Sequence, residues 1–136
     1  MERRGLFVGI GIDVYESHEP LEHAVAEVNA VAEVLGADFG GEPLLDADHA
    51  QVQEHLEKVP DCRDTAGSLV LLWCGHGVQS GTKLWLQTRN DCGKINAADV
   101  IARCAESGVA SCSTECVSLC RFVSFCPAPL AEVALR

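Results

Sequence analysis

The feature that most constrains the fold is an apolar run over residues 68–74, which stops abruptly at a histidine between two glycines, Gly75-His76-Gly77. A run of this length bounded by glycine is typical of a buried strand, and glycine lets the backbone turn sharply where the histidine emerges. In open parallel sheets, ligands bind outside the carboxyl ends of the strands. We therefore expect His76 at a functional edge of a sheet, although an ordinary strand-to-loop turn gives the same pattern.

The rest of the chain alternates between strand and helix patterns. The predicted elements are, in chain order, a strand at 6–12, a helix at 20–35, a strand at 43–45, a helix at 48–59, the strand at 68–74, a turn at 79–82, a strand at 83–87 and a helix at 97–107. Asp48, with Gln51 three residues later, matches a capping box, and Asn96 is suited to cap the last helix. This order predicts an α/β fold with a parallel sheet and helices on both faces.

Size and charge limit the classes of function. The chain has 136 residues, which suits one domain, and its formal net charge of -10 lacks the basic footprint that nucleic acids or anionic membranes require. No stretch reaches the roughly 18 apolar residues of a membrane span, and the N-terminal apolar run leads into Asp13 without a signal-peptide cleavage site. We expect a cytoplasmic protein with neutral or basic partners, and neither a nucleic acid nor a membrane among them.

The eight cysteines are expected to be reduced thiols, because the sequence has no export signal. Four of them crowd the C-terminal part of the chain at Cys112, Cys116, Cys120 and Cys126. They could supply four thiolates to zinc, but structural zinc sites usually have tight cysteine pairs on turns, and this spacing lacks such pairs. A metal site is therefore not predicted, and a thiol or zinc-binding protein remains an alternative.

A histidine at a sheet edge can activate a cysteine. The thiolate is the nucleophile, and an unperturbed thiol with a pKa of about 8.5 is only slightly ionised at neutral pH. A neighbouring imidazole raises the thiolate fraction and can later protonate the leaving amine. If the next strand lies parallel beside the strand that ends at His76, a cysteine at its carboxyl end faces the histidine. Cys120 is the first candidate, followed by Cys116 and Cys126.

Three features together resemble one family: the Gly75-His76-Gly77 tripeptide after an apolar strand, the opening residues 6–15 and the helix from Leu21 to Leu35. They are similar to the caspase-like cysteine peptidases, nearest to the bacterial and metacaspase branches, over about residues 5 to 108. The resemblance implies a three-layer caspase-like fold with a mostly parallel sheet over residues 5–126, its C-terminal part incomplete. It also implies an endopeptidase without a cofactor, with His76 as general base.

The resemblance assigns further roles residue by residue. Cys120 takes the place of the nucleophile, although Ser118 stands where the family has an acidic residue. Gly77 contributes to the oxyanion hole. Glu27, in the position of a family aspartate, or Asp13 would bind a basic side chain before the scissile bond of a peptide substrate. A solvated charge on the helix surface explains Glu27 equally well.

The resemblance fades after residue 108, where residues 109–136 form a divergent tail rich in cysteine and serine. The sequence therefore predicts a domain that is truncated or altered beyond this point. The alternative to a peptidase is an inactive remnant that acts as an interaction module.

Overall fold

The computed structural model describes residues 5–59, 68–90, 94–105, 113–118 and 121–126, the last two ranges by their backbone. The elements are β1 Gly5–Gly11, α1 Ala24–Leu35, β2 Phe39–Gly40, β3 Leu44–Leu45, α2 His49–Glu57, β4 Ser68–Cys74, β5 Gly77–Ser80, β6 Lys83–Gln87, β7 Lys94–Asn96, α3 Ala97–Ala105, β8 Ser113–Ser118 and β9 Arg121–Cys126. A short 3-10 turn at Gly36–Asp38 follows α1. The α/β class expected from the sequence is confirmed.

Two sheets organise these strands. The main sheet has the order β2-β1-β4-β9-β8, with β3 also pairing with β1. The strands β2, β3 and β4 all run parallel to β1, whereas β9 runs antiparallel to both β4 and β8. The second sheet is an antiparallel meander of β5, β6 and β7 that begins directly after His76.

The alternation of β1 decides which helix covers each face of the main sheet. Leu6, Val8 and Ile10 point into a core shared with α2 and α3, while Phe7 packs against α1. Gly11 lies on the α1 face, where an added Cβ would come within 3.0 Å of Ala24 O and of Val28 Cγ2. The absence of a side chain there lets α1 approach the sheet closely.

The caps of two helices agree with the sequence. Asp48 and Gln51 form the full capping box of α2, and Asn96 Oδ1 accepts from the Ala98 amide at the start of α3. The first helix starts later than expected, at Ala24 and not at Glu19-Pro20. Its first turn is held by a residue that is distant in sequence, since Asp13 Oδ1 accepts from the Ala24 amide at 2.9 Å.

The next strand was expected to lie parallel beside β4. That expectation is wrong, because the neighbour of β4 is β9, which runs antiparallel to it. The strands β8 and β9 form a hairpin in which Ser118 is paired with Arg121. A connection this short produces antiparallel neighbours, because a parallel pair needs a crossover of a dozen or more residues. The turn expected at 79–82 is shorter than expected, because β5 extends to Ser80 and β6 begins at Lys83. Among the described residues, no helix is long and apolar enough to cross a membrane.

Candidate active site

His76 lies in the short link between β4 and β5, at the carboxyl end of the parallel strands, as expected. Its backbone amide donates to Tyr15 Oη at 2.7 Å, and its carbonyl accepts from the Gln87 amide at 3.0 Å. The side chain is half-buried. Gly75 is required just before it, because a Cβ at that position would come within 2.6 Å of Tyr15 Oη.

The imidazole of His76 is oriented by a backbone carbonyl. Its Nε2 lies 2.8 Å from Glu19 O. A carbonyl oxygen can only accept a hydrogen bond, so the neutral ring must carry its proton on Nε2 and keep a lone pair on Nδ1. Within the described part of the chain, no hydrogen bond engages Nδ1. This is the arrangement of a base whose second nitrogen is held by a third group.

Two aromatic rings lie beside the imidazole. The ring centroids of Tyr15 and His76 are 4.5 Å apart in an edge arrangement, and His18 lies 5.6 Å from His76. Tyr15 is 8% exposed, whereas His18 is exposed. Both residues belong to the loop that joins β1 to α1, residues 12–23, which therefore forms one wall of the site.

Asp13 has a structural role in this loop. Its Oδ1 and Oδ2 accept from the amides of Ala24 and Val25 at 2.9 and 3.4 Å, which places its carboxylate at the N-terminus of α1. The helix dipole favours a negative charge there. Both oxygens are thus engaged in binding the helix, and the expected contact of Asp13 with a substrate stays a prediction.

Glu27 is brought to the same edge as His76 by the close approach of α1. The buried thiol of Cys74, the last residue of β4, lies 3.5 Å from Glu27 Oε2 and donates to it. Glu27 is half-buried, so its carboxylate is not simply a solvated charge on the helix surface. Its role toward a substrate remains a prediction.

The cysteine candidates have different positions in the backbone. Cys120 lies outside the described residues. Because β9 is antiparallel to β4, its carboxyl end is at the far end of the sheet from His76, where Cys126 pairs with Leu69. The amino end of β9 lies on the His76 side, where Arg121 pairs with Cys74. The expected geometry, a cysteine at the carboxyl end of a parallel strand, is therefore wrong for β9.

Gly77 opens β5 opposite Leu86. The bond from the Gln87 amide to His76 O identifies His76 and Gln87 as a hydrogen-bonded pair, so the following pair, Gly77 and Leu86, is the non-bonded type. The amide of Gly77 consequently points away from β6. The expected role of Gly77 in the oxyanion hole stays a prediction.

Within the described ranges, no group of three or more histidine, cysteine, aspartate or glutamate side chains could hold a metal ion. The tail cysteines considered for zinc are not covered by this result. Cys112 and Cys120 lie outside the described residues, and Cys116 and Cys126 are described by their backbone.

The fold and the site define an α/β domain with a carbonyl-oriented histidine at the carboxyl edge of its parallel strands. Comparisons with protein-family models, with curated proteins and with solved structures find no match for this chain.

Sequence reasoning missed two partners of His76. Glu19 contributes only its backbone carbonyl, which no residue-type pattern reveals. Tyr15 had a signal, since it is the only tyrosine of the chain and follows the end of the first strand. Its contact with His76 spans 61 positions of sequence and could not be read from spacing.

Proposed function

We propose that this chain is a caspase-like cysteine endopeptidase in which His76 is the general base and Cys120 is the nucleophile. The observation that carries the proposal is the hydrogen bond between His76 Nε2 and Glu19 O, at 2.8 Å. It fixes the tautomer in which Nδ1 can accept a proton from a thiol.

The register of β9 supports the choice of nucleophile. Arg121 pairs with Cys74, two residues before His76, and Cys120 is joined to Arg121 by one peptide bond. Cys126 is disfavoured because its backbone pairs with Leu69, at the opposite end of β4. Cys116 is also less suitable, because it lies in β8, which is separated from β4 by β9.

The reaction that this pair supports is acyl transfer to a thiol. His76 Nδ1 takes the thiol proton, and the thiolate attacks the carbonyl carbon of the scissile peptide bond. The oxyanion of the tetrahedral intermediate accepts from the outward-pointing amide of Gly77. His76 then gives its proton to the leaving amine, and a thioester remains. Water, deprotonated by His76, hydrolyses the thioester and restores the thiol.

Glu27 supports a substrate with arginine or lysine before the scissile bond. Its carboxylate lies on the same edge of the sheet as His76 and is oriented by the Cys74 thiol. A carboxylate in a half-buried site forms charge-assisted hydrogen bonds with a basic side chain. The formal net charge of -10 also favours the approach of basic peptides.

Cleavage of fluorogenic peptides ending in arginine, lysine or aspartate tests the proposal. We expect the basic reporters to be cleaved and His76→Ala and Cys120→Ala each to reduce kcat/KM at least about 10³-fold. Cys126→Ala is the matched control and should retain activity. Glu27→Gln should lower kcat/KM for the basic reporters about 10-fold or more without a comparable loss of stability.

Labelling of the full chain with iodoacetamide provides a second measurement that does not need a good substrate. Cys120 should react faster than the other thiols at neutral pH, and His76→Ala should slow it. A chain that cleaves no reporter and whose labelling is unaffected by His76→Ala would contradict the peptidase proposal and favour an interaction module.

A further inference from the structure

Tyr15 occupies an unusual position in the hydrogen-bond ladder between β1 and β4. The Ile12 amide donates to Cys74 O at 2.9 Å, which is the last regular bond of this parallel pair. In a regular parallel ladder the His76 amide would then donate to Ile12 O. Instead, the His76 amide donates to Tyr15 Oη at 2.7 Å, and Tyr15 Oη donates to Ile12 O at 3.0 Å. The tyrosine hydroxyl is inserted into the ladder at the residue that carries the imidazole.

The position of this hydroxyl is fixed from two sides. The Tyr15 ring is part of the buried cluster on the face of the sheet covered by α2 and α3, so the core determines where Oη lies. The missing side chain of Gly75 leaves room for it, since a Cβ there would come within 2.6 Å of Oη and 3.2 Å of Trp73 Nε1. The Tyr15 ring also contacts the imidazole, with centroids 4.5 Å apart.

We propose that Tyr15 is a positioning residue for His76. Its hydroxyl holds the His76 backbone away from the regular end of the β1–β4 ladder, and its ring supports the imidazole in the orientation that bonds to Glu19 O. The residue acts through His76, and its own side chain is buried. The inference deepens the proposed function and rests on it for its effect on catalysis, whereas its effect on the histidine ring can be measured independently.

The first test is nuclear magnetic resonance of the full chain with isotope-labelled histidine. In the wild type we expect the neutral His76 ring as the Nε2–H tautomer. Tyr15→Phe keeps the ring and removes the hydroxyl, and should give a mixture of the two tautomers. A single Nε2–H tautomer in Tyr15→Phe would overturn the proposal, whatever the activity of the chain.

The second test uses turnover. Tyr15→Phe should lower kcat about 10- to 100-fold and change KM by less than about 2-fold, because a misplaced base costs reaction rate and not substrate binding. Phe39→Leu is the control for a general loss of stability, since Phe39 pairs with Gly5 at the opposite end of β1. A loss of kcat in Phe39→Leu equal to that in Tyr15→Phe would overturn the proposal by showing a general effect of stability.

Gly75→Ala distinguishes the effect of the Tyr15 hydroxyl from the effect of the Tyr15 ring. It remains informative if Tyr15→Phe folds poorly. The added methyl displaces Oη while the tyrosine stays in place, so this variant should reproduce the tautomer mixture and the loss of kcat. In the Tyr15→Phe background, Gly75→Ala should reduce kcat by a factor at least about 3-fold smaller than in the wild type, because the displaced atom is already absent. Equal reductions of kcat in the two backgrounds would contradict the position of the hydroxyl between Ile12 O and the His76 amide. If His76→Ala leaves cleavage unchanged, the peptidase proposal fails, and the tautomer measurement still decides the role of Tyr15.

Discussion

The two faces of the main sheet carry hydrophobic cores of different size, although the same strands supply both. On the face toward α2 and α3, β4 contributes Leu69, Leu71 and Trp73, each fully buried in one continuous hydrophobic cluster. On the face toward α1, the core is smaller, and Gly11 lets the helix approach closely. The close approach brings the carboxylate of Glu27 and the thiol of Cys74 together at the site.

The difference shows how unequally this fold divides its apolar burial between the two faces. The larger cluster supplies most of the apolar burial, which is the main favourable term in folding. The α1 face contributes less burial. The loop over residues 12–23 is held from both sides, since Asp13 binds the start of α1 and Tyr15 packs in the larger cluster. Substitutions on the two faces should therefore differ in the size of the stability loss, with the larger loss in the larger cluster.

The largest expected effect is in the larger hydrophobic cluster, on the face toward α2 and α3. Leu71→Ala should reduce the free energy of unfolding by about 2–5 kcal/mol, because it removes a fully buried side chain and leaves a cavity. Urea denaturation followed by circular dichroism measures the change. Val34→Ala, at a side chain that is 85% exposed on α1, is the control and should stay within about 0.5 kcal/mol of the wild type. Equal losses for the two variants would contradict the assignment of the core.

An effect of intermediate size is expected under α1. Gly11→Ala should destabilise the chain by about 1–3 kcal/mol, since its methyl would crowd Ala24 O and Val28 Cγ2 at 3.0 Å. Val28→Ala should lessen this cost when the two changes are combined, because it removes one of the crowded groups. Additive losses in the double variant would show that α1 does not pack on Gly11 as described.

A smaller effect is expected at the start of α1. Asp13→Ala should cost about 1 kcal/mol, because the Ala24 and Val25 amides lose their acceptor. Asp13→Asn, which keeps one acceptor oxygen, should recover most of that stability in the same urea experiment. If Asp13→Asn is as stable as the wild type but loses the preference for basic reporters, the carboxylate of Asp13 binds substrate in addition to its cap role.

The smallest expected effect is a dependence of stability on pH that comes from His55 in α2. Burial, and secondarily the charge of Lys58, hold the pKa of His55 below 6.5 in the folded chain. The unfolded chain therefore binds a proton first as the pH falls below that value, and stability decreases toward acid. His55→Gln should flatten this part of the stability profile between about pH 8 and pH 5. An unchanged slope in His55→Gln would assign the acid sensitivity to other groups.

Local patterns in the sequence predicted several elements well. The capping box of Asp48 and Gln51, the cap at Asn96 and the strand that ends at Cys74 all lie where expected, because each depends on residues close together in the chain. The strands of the tail were not predicted, since residues 109–126 show neither a period of two nor one of 3.6. Their antiparallel direction depends on pairing with β4, which is a contact over about fifty residues.

The candidate site shows the same difference between features that depend on local sequence and features that depend on distant contacts. The sequence by itself determined that a buried strand ends at a histidine between glycines, because apolar runs and glycines are local signals. Only the tertiary structure decided which nitrogen of His76 is protonated, through Glu19 O, and how its backbone is held, through Tyr15 Oη. These partners come from a loop 57 and 61 positions away along the chain, and nothing in the local sequence around His76 encodes their approach.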